Sequence, residues 1–170
     1  DRNAAPPKDD GGYRPSVSVI IPAYNEERVI VASVTRVLQS DYPGMQVIVA
    51  DDGSKDATSK LVRQHFDGDS RVTLMTLANG GKASALNRAL KQAQGEIIIA
   101  LDADTQFLPD TISKLVRWFA NERIGAVAGN AKVGNRINLV TRWQAIEYVT
   151  AQNVERRALD ALRAITVVPG

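Results

Sequence analysis

Two acidic stretches hold the residues best suited to chemistry: Asp51-Asp52-Gly53-Ser54 and Asp102-Ala103-Asp104-Thr105. Each follows an apolar run, residues 47–50 and 97–101. Asp102 and Asp104 stand two positions apart. Hard cations such as Mg²⁺ or Mn²⁺ favour carboxylate oxygens and accept a diphosphate as co-ligand. One aspartate would ligate directly and the other through water or substrate. The same pair would also suit a solvated turn that caps a helix. Asp51 and Asp52 precede Gly53, which allows a tight turn. A carboxylate there could accept a hydrogen bond from a nucleobase N–H. The alternative is a plain turn in which Ser54 or Asp56 caps the next helix.

A third stretch, residues 79–87 (NGGKASALN), places Lys82 behind two glycines at a helix start. Backbone N–H groups, a helix dipole and a lysine together suit an anion; a plain loop with a solvated lysine is the alternative. It is not a P-loop, which requires Gly-x-x-x-x-Gly-Lys-Ser/Thr. Here Ala83 follows Lys82, and Thr76 holds the first position. Residues 22–27 (PAYNEE) lack Gly-x-Gly-x-x-Gly, so a nicotinamide or flavin site is unsupported. Tyr24 could stack on a nucleobase or serve as an ordinary packed aromatic. His65 reads as a surface residue, and the charges beyond Asn135 as a solvated helix face.

These groups need elements to position them. Apolar runs at 17–21, 47–50, 72–77, 96–101 and 124–128 read as strands, and 166–168 begins another. Between them, 25–39, 56–66, 82–93, 109–120 and 137–164 have helical spacing, with Asn25 the expected N-cap of the first. Strands alternating with helices predict an α/β fold with a mostly parallel sheet. Residues 1–15 are rich in proline, glycine and charge and read as a flexible tail, leaving 16–170 as the folded domain. Strand ends that open into acidic turns predict a ligand crevice at the carboxyl edge of the sheet.

Composition narrows the function. The chain has 170 residues, 44% hydrophobic and 24% charged, which suffices for one domain with a real core. Its 21 basic and 19 acidic residues leave a net charge of +2, with no basic block to suggest nucleic-acid binding. It has no cysteine and one histidine, which excludes disulfides and argues against thiolate or histidine-rich metal centres. No apolar run approaches the roughly 18 residues of a membrane span. The 170 residues are expected to be soluble. Residues 165–170 (ITVVPG) read as a strand stopped at its turn, the mark of a piece of a longer protein.

Taken together and in order, PAYNEE, DDGSKDAT, NGGKASALN, LDADT and GNAKVGNR resemble glycosyltransferase family 2. The resemblance covers about residues 17–170. GNAKVGNR (129–136), IEY (146–148) and ERR (155–157) resemble more narrowly the processive synthases of poly-N-acetylglucosamine, hyaluronan and chitooligosaccharides. It implies a GT-A fold and inverting transfer of N-acetylglucosamine from a UDP-sugar donor to a growing β-linked glycan acceptor. It places Pro22, Ala23 and Tyr24 around uridine, with Glu26 at the edge. Asp52 would bind uracil, and Asp51 would support that turn. Lys82 would lie beside the donor and Asp102 on its ribose or sugar side. Asp104, with Asp102, would hold Mg²⁺ or Mn²⁺. Residues 129–136 would shape the acceptor or sugar pocket.

The family's general base is an aspartate well beyond Val-Pro-Gly, followed by a Gln/Arg-x-x-Arg-Trp motif and membrane helices. None of these falls within the 170 residues. The resemblance therefore implies a donor-binding half without its base, and a full-length protein at the plasma membrane with this domain cytoplasmic. Two alternatives stand beside it. A sugar-phosphate nucleotidyltransferase would be expected to carry a glycine-rich loop after the first strand. A non-catalytic nucleotide-sugar-binding or assembly module would be expected to have a decayed site.

Overall fold

Four strands form one parallel sheet: β1 (Val17–Ala23), β2 (Gln46–Asp51), β3 (Val72–Thr76) and β4 (Ile97–Ala100). The computed structural model describes residues 12–129. Helices α1 (Ile30–Leu38), α2 (Thr58–Phe66) and α3 (Lys82–Leu90) join successive strands, and α4 (Thr111–Val116) follows β4 and runs into a 3-10 turn, Arg117–Ala120. The chain divides into two units, Asp1–Arg123 (with Gly170) and Ile124–Pro169, and every element named here belongs to the first.

The strand order is β3-β2-β1-β4. The chain moves outward from β1 to β3, then returns across the sheet to lay β4 against β1. A uniform crossover hand sends the connecting helix to the opposite face when the direction reverses. Accordingly Val19, Ile21, Val47 and Val49 share a core with Ile30, Val34 and Val37 of α1, Val62 of α2, and Ile112 and Val116 of α4. On the other face Ile20, Ile48 and Ala50 pack with Ala85 and Ala89 of α3. Alternate strand residues point to opposite faces, so strands covered on both sides read as unbroken apolar runs. Small alanines let α3 sit close to the sheet.

Several boundaries differ from the sequence expectation. Asn25 does not cap α1: its φ of 56° is left-handed, and the helix begins five residues later behind Val29. The Glu26 carbonyl instead starts the first turn, accepting from the Val29 and Ile30 N–H groups at 3.0 Å each. The expected strand at 124–128 is absent, and residues 124–129 have no regular structure. That run is mostly exposed, and Gly125, Ala126 and Ala128 offer little surface to bury against a partner. Short apolar runs do not reveal their structure by periodicity alone. The last residues of the expected tail are fastened: Pro15 is buried, and its carbonyl accepts from the Tyr42 hydroxyl at 2.6 Å. The expected helix at 137–164, the strand at 166–168, and the motifs at 146–148 and 155–157 lie outside the described residues. So does 129–136 apart from Gly129.

Candidate donor-binding site

The carboxyl ends of β1, β2 and β4 surround one open cavity of about 270 Å³. Pro22, Ala23, Tyr24 and Glu26 reach it from the β1 end. Asp52 enters from the β2 end and Lys82 from the start of α3. Asp102, Ala103 and Asp104 come from the β4 end. This is the place where strand order reverses, between β1 and β4, and open α/β sheets bind ligands there. A second cavity of about 250 Å³, between α2 and β3, holds none of the residues singled out by sequence.

Strand alternation separates the two adjacent aspartates. Asp51 continues the face of Val47 and Val49, towards α2. Its carboxylate accepts from the Ser54 N–H at 2.9 Å and from the Ser59 hydroxyl on α2. It is 1% exposed and does not line the cavity. Asp52 follows the opposite face, towards α3. Its two carboxylate oxygens accept from the Gly80 and Gly81 N–H groups at 2.9 and 2.7 Å. Its carbonyl accepts from Asn79 Nδ2 at 2.9 Å. The diglycine amides expected to meet an external anion therefore meet an internal one. An ionised carboxylate has about four acceptor positions, so Asp52 keeps capacity for a further donor.

Gly53 makes this approach possible. Its φ is 76°, and a Cβ there would stand 2.9 Å from the Asn79 nitrogen. Gly81, with φ 86°, is the N-cap of α3 and delivers the chain to Lys82. Lys82 Nζ lies 2.6 Å from Asp102 Oδ1. Asp104 is exposed beside it, and Tyr24 is 46% exposed at the rim. Among the described residues no three His, Cys, Asp or Glu side chains form a group able to hold an ion unaided.

Negative charge gathers at this end of the sheet. Burial pushes the Glu26 carboxyl above its ordinary value, and Asp104, Asp56 and Asp102 push it further. Asp56 moves the other way: burial opposes its ionisation, but hydrogen bonds from Thr58 and from the Glu27 N–H outweigh burial and hold its carboxyl low.

Sequence reasoning did not find the ties between the first two loops. The Asn25 N–H donates to Ser54 Oγ at 2.9 Å, and the Lys55 N–H donates to Asn25 Oδ1 at 2.8 Å. The Glu26 N–H donates to Thr58 Oγ1 at 2.8 Å and the Glu27 N–H to Asp56 Oδ2 at 3.1 Å. The Ala57 N–H returns a bond to Glu27 Oε2 at 3.0 Å. These five bonds fix Tyr24 and Asp52 relative to each other. The only signal in the sequence was the clustering of short polar side chains behind two strands.

Residues 18–166 match the family described as glycosyl transferase family 2. The chain belongs to this family. It is 30% identical over 155 residues to a poly-β-1,6-N-acetyl-D-glucosamine synthase of Staphylococcus epidermidis, covering 91% of this chain and 38% of that protein. Among solved structures it resembles the mannosyltransferase PcManGT from Pyrobaculum calidifontis in complex with GDP-Man and Mn²⁺. That similarity has a TM-score of 0.67 and 36% identity over 75% of this chain and 39% of the other. It also resembles S. aureus TarS 1–349 in complex with UDP-GlcNAc, with a TM-score of 0.58 and 25% identity over 71% and 38% of the two chains. The parallel sheet of this family 2 chain, with its flanking helices, is the GT-A architecture expected from sequence. Among the described residues no helix is long and apolar enough to cross a membrane.

Proposed function

We propose that these residues hold the donor of an inverting glycosyltransferase that moves N-acetylglucosamine from UDP onto a growing β-linked glycan. One observation carries the reading. Tyr24, Asp52, Lys82, Asp102 and Asp104, drawn from three strand ends and one helix start, line a single cavity. The names of the matched proteins agree with it: one makes a polymer of N-acetylglucosamine, and another is solved with UDP-GlcNAc.

The roles follow from position. Tyr24 offers an exposed aromatic face for the uracil, with Pro22 and Ala23 forming the floor beside it. Asp52 accepts the base N–H on its remaining lone pairs. Lys82 and the positive N-terminal end of α3 face the diphosphate. Asp104 and Asp102 would hold Mg²⁺ or Mn²⁺, and their all-oxygen donor set fits such ions, with diphosphate and water completing the shell. When bound, the ion neutralises charge on the departing diphosphate. Glu26 stands at the edge of the same cavity. Proton removal from the acceptor hydroxyl requires a base, which the family resemblance places downstream of residue 170. The 170-residue chain is accordingly expected to bind UDP with the ion and not to sustain sugar transfer. Membrane helices and the glycan acceptor site belong to the same expectation for the full-length protein.

Calorimetry with UDP, with and without Mn²⁺, tests the reading. UDP affinity should rise with Mn²⁺, and Asp104→Ala should remove that rise while leaving the fold intact. UDP binding that ignores both the metal and Asp104→Ala would sink the metal assignment. Sustained transfer by the 170 residues would sink the division of labour.

A further inference from the structure

Asp52 is linked to the far end of the cavity by an unbroken run of contacts. Its carboxylate grips the Gly80 and Gly81 amides, and its carbonyl takes the Asn79 side chain. Gly53 lets the same loop come close, since a Cβ there would stand 2.9 Å from the Asn79 nitrogen and 3.2 Å from the Leu77 oxygen. Lys82 comes next in the chain, and its Nζ reaches Asp102. Two consecutive glycines are the freest of backbone pairs. Unanchored, they would let the start of α3 drift, and Lys82 with it. Bonds from amides to an ionised carboxylate are stronger than neutral ones, and 4% exposure shields these from water.

We propose that Asp52 is a positioning residue for the diphosphate end of the cavity. Acting through Gly80 and Gly81, it sets the place of Lys82, and so controls the binding of a diphosphate that carries no base. This rests on the nucleotide-sugar reading and adds to it, because a base contact alone would affect only ligands that have a base.

The test is calorimetry on the 170-residue chain with two probes, pyrophosphate plus Mn²⁺ and UDP plus Mn²⁺. The variants are Asp52→Asn, Lys82→Met and the pair combined. Asparagine keeps the shape but turns an NH₂ group towards one glycine amide. Asp52→Asn is expected to weaken pyrophosphate binding about tenfold, the worth of one charge-assisted hydrogen bond. In the Lys82→Met background the same change should cost nothing further, because both act through one group. Losses that add in the double variant overturn the proposal. So does an equal loss in Asp51→Asn, which is as deeply buried but does not touch the diglycine. If Asp52→Asn does not fold, Asn79→Ala replaces it. That variant keeps the carboxylate and removes one tie on the loop. It should weaken pyrophosphate in the same non-additive way, and failure to do so also overturns the proposal. If the unaltered chain binds neither UDP nor pyrophosphate, the nucleotide-sugar reading falls and this proposal with it. If it binds UDP and Asp52→Asn binds pyrophosphate normally, only the positioning role falls.

Discussion

Asn25 and Ser54 join the first and second loops of the sheet: the Asn25 N–H donates to Ser54 Oγ at 2.9 Å. Asn25 does this from a left-handed backbone, φ 56°, which turns its side chain to meet the Lys55 N–H. Asparagine tolerates that region better than most residues, and its short amide bonds locally. The strained residue thus pins the loop pair that carries Tyr24 and Asp52 to the cavity.

Substitution at Asn25 should therefore rank in an unusual order. Asn25→Ala loses a hydrogen bond and keeps a Cβ in left-handed backbone without the local amide that eases it there, costing about 2 kcal/mol. Asn25→Gly loses the bond but suits the backbone, costing about 1 kcal/mol. Urea unfolding at neutral pH measures both; alanine proving as mild as glycine would refute the strain.

Gly95 should tolerate nothing larger. A Cβ there would stand 2.3 Å from the Ser18 nitrogen and 2.6 Å from the Val17 carbonyl carbon, both backbone of a central strand. Neither can give way. Gly95→Ala should cost about 3 kcal/mol or more, seen as a large drop in melting temperature. A variant melting within a degree or two of the parent would contradict the packing.

Tyr24→Ala should weaken UDP binding by about 1–3 kcal/mol, the usual worth of an aromatic–base stack. Because the ring is 46% exposed, melting should hardly change. Tyr24→Phe should bind like the parent, since the face and not the hydroxyl is used. Calorimetry on both variants decides this; equal losses would assign the effect to the hydroxyl.

Asp56 predicts a pH dependence. Its carboxyl is held below the ordinary 3.8 by the Thr58 and Glu27 hydrogen bonds, against the pull of burial. A lowered folded-state pKa contributes stability that is fully present above the unfolded value and is lost as pH falls through the folded one. Asp56→Asn should therefore melt below the parent at pH 7, and the gap should close as pH drops below about 3.8. Melting curves from pH 7 to pH 2.5 test the sign; a gap that widens in acid would reverse it.

Much of this fold could be read from the sequence, because its central strands are buried on both faces. Residues 17–21 and 47–50 have no polar interruption except Ser18, so their strands were plain. Ser18 itself is buried and satisfied by the Gln46 side chain and the Gly95 N–H. The residues lining the cavity were legible through motifs at strand ends. Two things were not. Asp51 and Asp52 look alike in one dimension, and only the two-residue alternation of β2 sends one to α2 and the other to α3. The loop ties join residues 29 to 32 positions apart, and no periodicity records a pairing that depends on which strands lie side by side. The apolar run at 124–128 misled because a short apolar run does not reveal its structure by periodicity alone.

The reversal of strand order also orders events in time. The pairing of β1 with β2 joins residues 28 apart, as at Ser18 and Gln46, whereas β4 meets β1 across 80 residues, as at Val17 and Ile97. Closing the longer loop costs more entropy and raises contact order, which slows folding. The three-strand portion can assemble first, with Tyr24 and Asp52 already held together. Asp102 and Asp104 arrive only when the last strand docks. A chain caught before that step has Tyr24, Asp52 and Lys82 but not Asp102 or Asp104, so one wall of the cavity is missing.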